Sequence, residues 1–168
     1  ELWFEASLRG MAAAAMGLGP IPRVEALRWL EGAEAQSAVV EPQLVGVRAA
    51  VLAELGRFDE ARPLLAETQA QMNERGMRLF VAGSMEVVWI VEMLAGDLAA
   101  AEERLRSGYL ALEEMGDKAF RPTTAAHLAQ ALFAQGRGDE AWRFTQISED
   151  LGADDDLLTQ VVWRGVRS

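Results

Sequence analysis

A seven-residue pattern occurs three times at a fixed spacing of 40 residues, and it narrows the possible folds more than any other feature. Leu55-Gly56-Arg57-Phe58-Asp59-Glu60-Ala61 recurs as Ala95-Gly96-Asp97-Leu98-Ala99-Ala100-Ala101 and as Gln135-Gly136-Arg137-Gly138-Asp139-Glu140-Ala141. The register extends beyond the motif. Thr68, Gly108 and Ser148 share a column, Gly76 and Gly116 share another, and Pro42 and Pro122 stand two periods apart. Only 15 of 168 residues are glycine, so three aligned glycines followed by three aligned alanines mark a repeated structural unit.

Each unit reads as two helices. Residues 42–55 are good helix formers with no interior proline, and Gly56 supplies a left-handed stop. Asp59 or Glu60 opens a second helix that runs to about Arg75 and closes at Gly76. Pro63 falls in or beside the first turn of that helix, where a missing N–H costs little compared with about 3 kcal/mol in a helix interior. The next unit has helices near 81–95 and 99–115, closed by Gly96 and Gly116. In the fourth, Pro122 begins a helix that runs to Gln135, and a second helix runs from about Asp139 to Leu151. An earlier, less regular unit spans Leu2 to Met16, a turn from Gly17 to Pro22, and Arg23 to Gln36. A last helix follows Asp154-Asp155-Asp156 and is cut off at Ser168.

No segment alternates β-branched and polar residues as a strand would, so the expected class is all-α. The expected units are about 1–36, 42–76, 81–116 and 122–152, with a truncated unit at 156–168, in one helical-repeat domain over 1–168. Ala61, Ala101 and Ala141 are small where the second helix should cross its partner, which allows the 8–10 Å separation of packed helix axes. One pair cannot bury both of its apolar faces, so neighbours must cover it. Replacing Ala101 by Phe is therefore expected to weaken two adjacent units.

Composition excludes most chemistry. Lys plus Arg is 16 and Asp plus Glu is 26, so the formal charge is 16 − 26 = −10, which argues against neutralising nucleic-acid phosphates. There is no cysteine, so disulfides, thiolate nucleophiles and thiolate zinc sites are absent. His127 is the sole histidine and Lys118 the sole lysine. The stretches from Met11 to Pro22 and from Leu79 to Val91 fall short of the roughly 18 to 20 apolar residues that span a membrane. The chain reads as a piece of a longer polypeptide, with the cytoplasm as the default compartment and no cofactor or metal expected.

The unit around Gly56, with Phe58, two acids and Ala61, resembles the tetratricopeptide repeat. Phe58 and Ala61 stand at the turn aromatic and the small second-helix position, and Ala49 and Ala129 at the small first-helix position. Trp89 departs from that last column, the period exceeds the usual ~34 residues, and Val45, Met85 and Ala125 replace the large first-helix aromatic. The segments 94–102 and 108–113, and 132–141 and 160–167, resemble the long-repeat C-terminal region of bacterial regulators that join a cyclase-like domain to an ATPase domain, and of some large LuxR-type activators. The resemblance implies a right-handed superhelix of about four antiparallel pairs plus a lone terminal helix. It implies a repeat region serving a signalling ATPase, and it transfers no catalytic residue.

Several motifs have plain structural readings. Gly17-Leu18-Gly19-Pro20-Ile21-Pro22 lacks the third glycine and the lysine of a phosphate loop. Asp154-Asp155-Asp156 reads as a helix cap, since Leu157 and Leu158 stand where calcium would need oxygens. Glu102, Glu103, Arg104 and Arg106 have the spacing of a solvated helix face. Trp29 and Trp142 lie on second helices; Trp3, Trp89 and Trp163 lie on first helices, each read as core before ligand contact. If the resemblance holds, first helices line a concave groove, and the candidate binding residues are Gln43, Glu86, Trp89, Ile90, Met93, His127, Gln130, Phe133 and Trp163. Gly46, Ala50 and Thr123 would join them. Lys and Asn are absent from these positions, which disfavours a clamp on a peptide carboxylate.

Leu2-Trp3-Phe4 and Val161-Val162-Trp163 read as end surfaces that neighbours normally cover, so self-association through an uncapped end is expected. The leading functional expectation is a non-catalytic interaction and regulatory module that binds a peptide, a partner subunit or the protein's own ATPase domain. The alternative is a small-molecule sensor holding an inducer in its groove. An enzyme is disfavoured, because Glu86 or Glu92 as a general acid or base would lack a second titratable partner.

Overall fold

A computed structural model describes residues 10–13, 15–17, 19–37 and 41–168. The chain divides into two compact units, Glu1–Arg75 and Gly76–Ser168. The described residues are helical and turn, with no strand among them.

In the first unit, residues 10–13 and 15–17 are helical. They precede α1 (Arg23–Gln36), α2 (Pro42–Glu54) and α3 (Phe58–Glu74). Helix α2 packs on both α1 and α3. Leu30, Leu44, Ala49 and Ala61 are fully buried between them. Leu2, Trp3 and Phe4 lie outside the described residues. Pro63 sits deeper than the first turn. It is the sixth residue of α3, so Asp59 loses its i→i−4 partner, and exposure of Pro63 leaves that carbonyl open to water.

The second unit holds α4 (Arg78–Gly83), α5 (Met85–Ala95), α6 (Leu98–Glu114), α7 (Arg121–Ala134), α8 (Gly138–Leu151) and α9 (Leu157–Arg167). Helix α6 packs on α4, α5 and α7, α7 on α5 and α8, and α9 on both α7 and α8. The helix expected near 81–95 starts earlier and is broken at Ser84, whose hydroxyl donates to the Val81 carbonyl at 2.8 Å. The Phe120 ring backs onto Gly83 beside the break, 3.2 Å from where a Cβ would stand.

The helix stops follow the glycine columns. Gly56, Gly76, Gly96, Gly116 and Gly136, each twenty residues after the last, are the positive-φ residues among those described. At four of these stops the next N–H reaches back over the turn: Arg57 to Leu52, Asp97 to Glu92 and Asp117 to Leu112 at 2.9 Å, and Arg137 to Leu132 at 3.0 Å. That bond satisfies a carbonyl the helix end would otherwise orphan, and it requires the left-handed glycine before it.

The alanine column is equally consistent, with Ala61, Ala101 and Ala141 fully buried. Gly108 marks a closer approach. A Cβ there would lie 2.6 Å from Met85 Cγ and 2.9 Å from the Ala82 carbonyl oxygen. Around it Leu105, Tyr109, Ala125, Leu128, Ala129, Leu132 and Ala141 form the core of the second unit. No helix among the described residues is long and apolar enough to cross a membrane.

Candidate functional site

The candidate site lies where α5 and α7 pack in the second unit. On α5, helical spacing puts Glu86, Trp89, Ile90 and Met93 on one stripe, and all four are half-buried. On α7 the neighbouring stripe carries Thr123, His127 and Gln130, with Phe133 one turn further on.

His127 joins the two stripes. The residue is 4% exposed, with Nε2 3.0 Å from Glu86 Oε1 and Nδ1 3.2 Å from Gln130 Oε1. The Trp89 ring lies over it at 4.1 Å between centroids, tilted by 35°. His127 is thus the hub of a polar cluster. Glu86 does have a titratable partner, drawn from 41 residues along the chain. Both ring nitrogens lie within hydrogen-bond distance of a side-chain oxygen. Glu92, the other carboxylate weighed for that role, is buried. Trp89 Nε1 is buried with no hydrogen-bond partner among the described residues.

The remaining candidates are dispersed. Met93 packs beside Trp89 against the core of the second unit. Phe133 stands out at 59% exposed. Trp163 is buried in a separate cluster with Ala126 and Val162. The Arg167 guanidinium stacks between Trp163 and Trp142, 4.4 Å and 4.7 Å from their ring centroids. Val162 is buried with Trp163, so of the end surface read from Val161-Val162-Trp163 only Val161 is open. Gln43 is exposed on α2, in the first unit.

A charged junction was missed by sequence reasoning. Glu102 is not on a solvated face; its side chain is 15% exposed. It accepts from Arg106 at 2.7 Å, Arg137 at 2.5 Å and Gln135 at 3.0 Å. Arg106 also donates to Glu140 at 2.6 Å, and Arg137 pairs with Glu140 as well. Burial works to raise the Glu102 pKa, but the hydrogen bonds from Arg106 and Gln135 and the charges of Arg137 and Arg106 outweigh it and hold the carboxyl below its ordinary value. Glu140 is lowered first by its Arg106 hydrogen bond, against burial, and then by Arg137. The junction ties α6 to the start of α8. The signal that could have found it is the repeat register: Arg57 and Glu60, two periods before Arg137 and Glu140, make the same ion pair in the first unit at 2.6 Å.

Among the described residues no group of three His, Asp or Glu side chains could hold a metal ion. No family model, no curated protein and no solved structure matches this chain.

Proposed function

We propose that the α5–α7 face of the second unit is a docking surface for a peptide segment of a partner protein. In this reading the chain is a non-catalytic interaction and regulatory module, arranged as a tetratricopeptide-like superhelix within a larger bacterial signalling ATPase of the cytoplasm. One observation carries the proposal. The exposed Phe133 stands within two turns of a polar cluster, Glu86–His127–Gln130, that is already internally hydrogen-bonded. A preorganised polar group beside an aromatic anchor suits recognition of a helical segment, where few residues supply most of the affinity.

The test is capture of a partner by the whole chain, compared across variants. Phe133→Ala and Gln130→Ala should both lose the partner, while Leu110→Ala, exposed on α6, should keep it. Retention by both α5–α7 variants would overturn the reading. A large thermal stabilisation by one metabolite, abolished by Trp89→Phe, would favour the inducer-sensor alternative, in which the unpaired Trp89 N–H meets a ligand acceptor.

A further inference from the structure

Helix α9 turns one side to the core and leaves the other bare. Thr159, Gln160, Val162 and Trp163 are buried, whereas Leu157, Leu158 and Val161 are 74%, 54% and 70% exposed. Val161 joins them into one strip, since it lies four residues after Leu157 and three after Leu158, the spacings that put side chains together on a helix. Three exposed aliphatic side chains on an 11-residue helix would lose unfavourable contact with water if covered.

The charges at the two ends of the strip identify the occupant. Asp154 and Asp155 are exposed before the helix, and Arg164 is exposed near its far end. None of the three side chains makes an ion pair or hydrogen bond among the described residues. Arg164 only lies against the Trp163 ring, 5.1 Å from its centroid. Asp155 lies in the turn before α9 and Arg164 in its last turn, with Leu158 and Val161 between them along the chain. The strip is therefore complementary to its own copy, but only in an antiparallel sense. A parallel copy would set acid on acid and arginine on arginine.

We infer that α9 is a self-association surface on which a second copy of this chain packs its own α9 antiparallel, about a two-fold axis midway between Leu158 and Val161. Leu158 of each copy then covers Val161 of the other, and Asp155 of each lies beside Arg164 of the other. Gly165, around which a Cβ would meet nothing within 4 Å, leaves room for the turn carrying Asp154. Such an interface is isologous, so each contact occurs twice and a single substitution acts twice. The surface is distinct from the α5–α7 face and does not depend on what that face binds.

Sedimentation velocity on the whole chain over a micromolar concentration series tests this. A concentration-dependent dimer is expected. Val161→Glu should raise its dissociation constant by about tenfold or more, with an unchanged helical circular dichroism spectrum. Asp155→Arg and Arg164→Asp should each weaken the dimer by placing like charges together, and the double variant should recover it. A monomer throughout the series would overturn the inference, as would a dimer indifferent to Val161→Glu or a double variant no better than the single ones. All these readouts are of mass, so they stand or fall apart from partner capture by Phe133 and Gln130.

Discussion

His127 Nε2 lies 3.0 Å from Glu86 Oε1, beneath the Trp89 ring, and this contact fastens one first helix to the next inside the second unit. Removing either partner leaves a different defect. His127→Ala opens a cavity under an indole and strands the Glu86 carboxylate, for an expected loss of about 2–4 kcal/mol. Glu86→Ala leaves a buried imidazole nitrogen unpaired and should cost about 1–2 kcal/mol. Urea unfolding of both single variants and the double variant should show a coupling of about 1 kcal/mol. Additive losses would mean that the pair contributes nothing as a pair.

Gly108→Ala is expected to destabilise the second unit by about 1–3 kcal/mol, because overpacking forces neighbours apart. Met85 can swing aside, but the Ala82 carbonyl, 2.9 Å from the new Cβ, belongs to the backbone of α4 and cannot. Gly32→Ala is the opposite case. Gly32 lies within α1 and a Cβ there meets nothing within 4 Å, so the same substitution should add up to about 1 kcal/mol through helix propensity. Thermal melts of the two variants should move in opposite directions.

At Gly96 the difficulty is conformational. A Cβ there has open space around it, but φ is 77°, where an L side chain crowds its own carbonyl. Gly96→Ala should therefore cost about 1 kcal/mol or somewhat more, without disturbing packing. An unchanged unfolding midpoint would show that the turn after α5 relaxes freely.

Local signals were the legible part of this fold. The glycine and alanine columns announced the helix stops and the buried crossings, because a left-handed turn and a tight helix contact each admit few residue types. The break at Ser84 was not legible, since the residue packed against Gly83 is Phe120, far along the chain just before α7. The same holds for function. Glu86 and His127 each appeared isolated within their own helices, and Glu102 appeared solvated because Gln135, Arg137 and Glu140 come from the following unit. The clue available was the register itself. If consecutive first helices pack side by side, column 86–90 of one must meet column 126–130 of the next.

Acid should loosen the second unit through the Glu102–Arg106–Glu140–Arg137 junction. Both carboxyls are held below their ordinary value of 4.5 in the folded chain, so on acidification the unfolded chain takes up protons first. The stability they contribute is complete above that ordinary value and is lost as pH falls through the lower folded values. Solvent screens Glu140, so the effect rests mainly on Glu102. Glu34, in the first unit, runs the other way. Burial raises it, against Arg48 and with help from Glu31, so its contribution is present at low pH and lost as pH rises through the raised value. Urea midpoints measured from about pH 6 down to about pH 3 should fall steeply for the native chain and less steeply for Glu102→Gln, which no longer titrates at the junction. Parallel curves for the two proteins would mean that the acid sensitivity arises elsewhere.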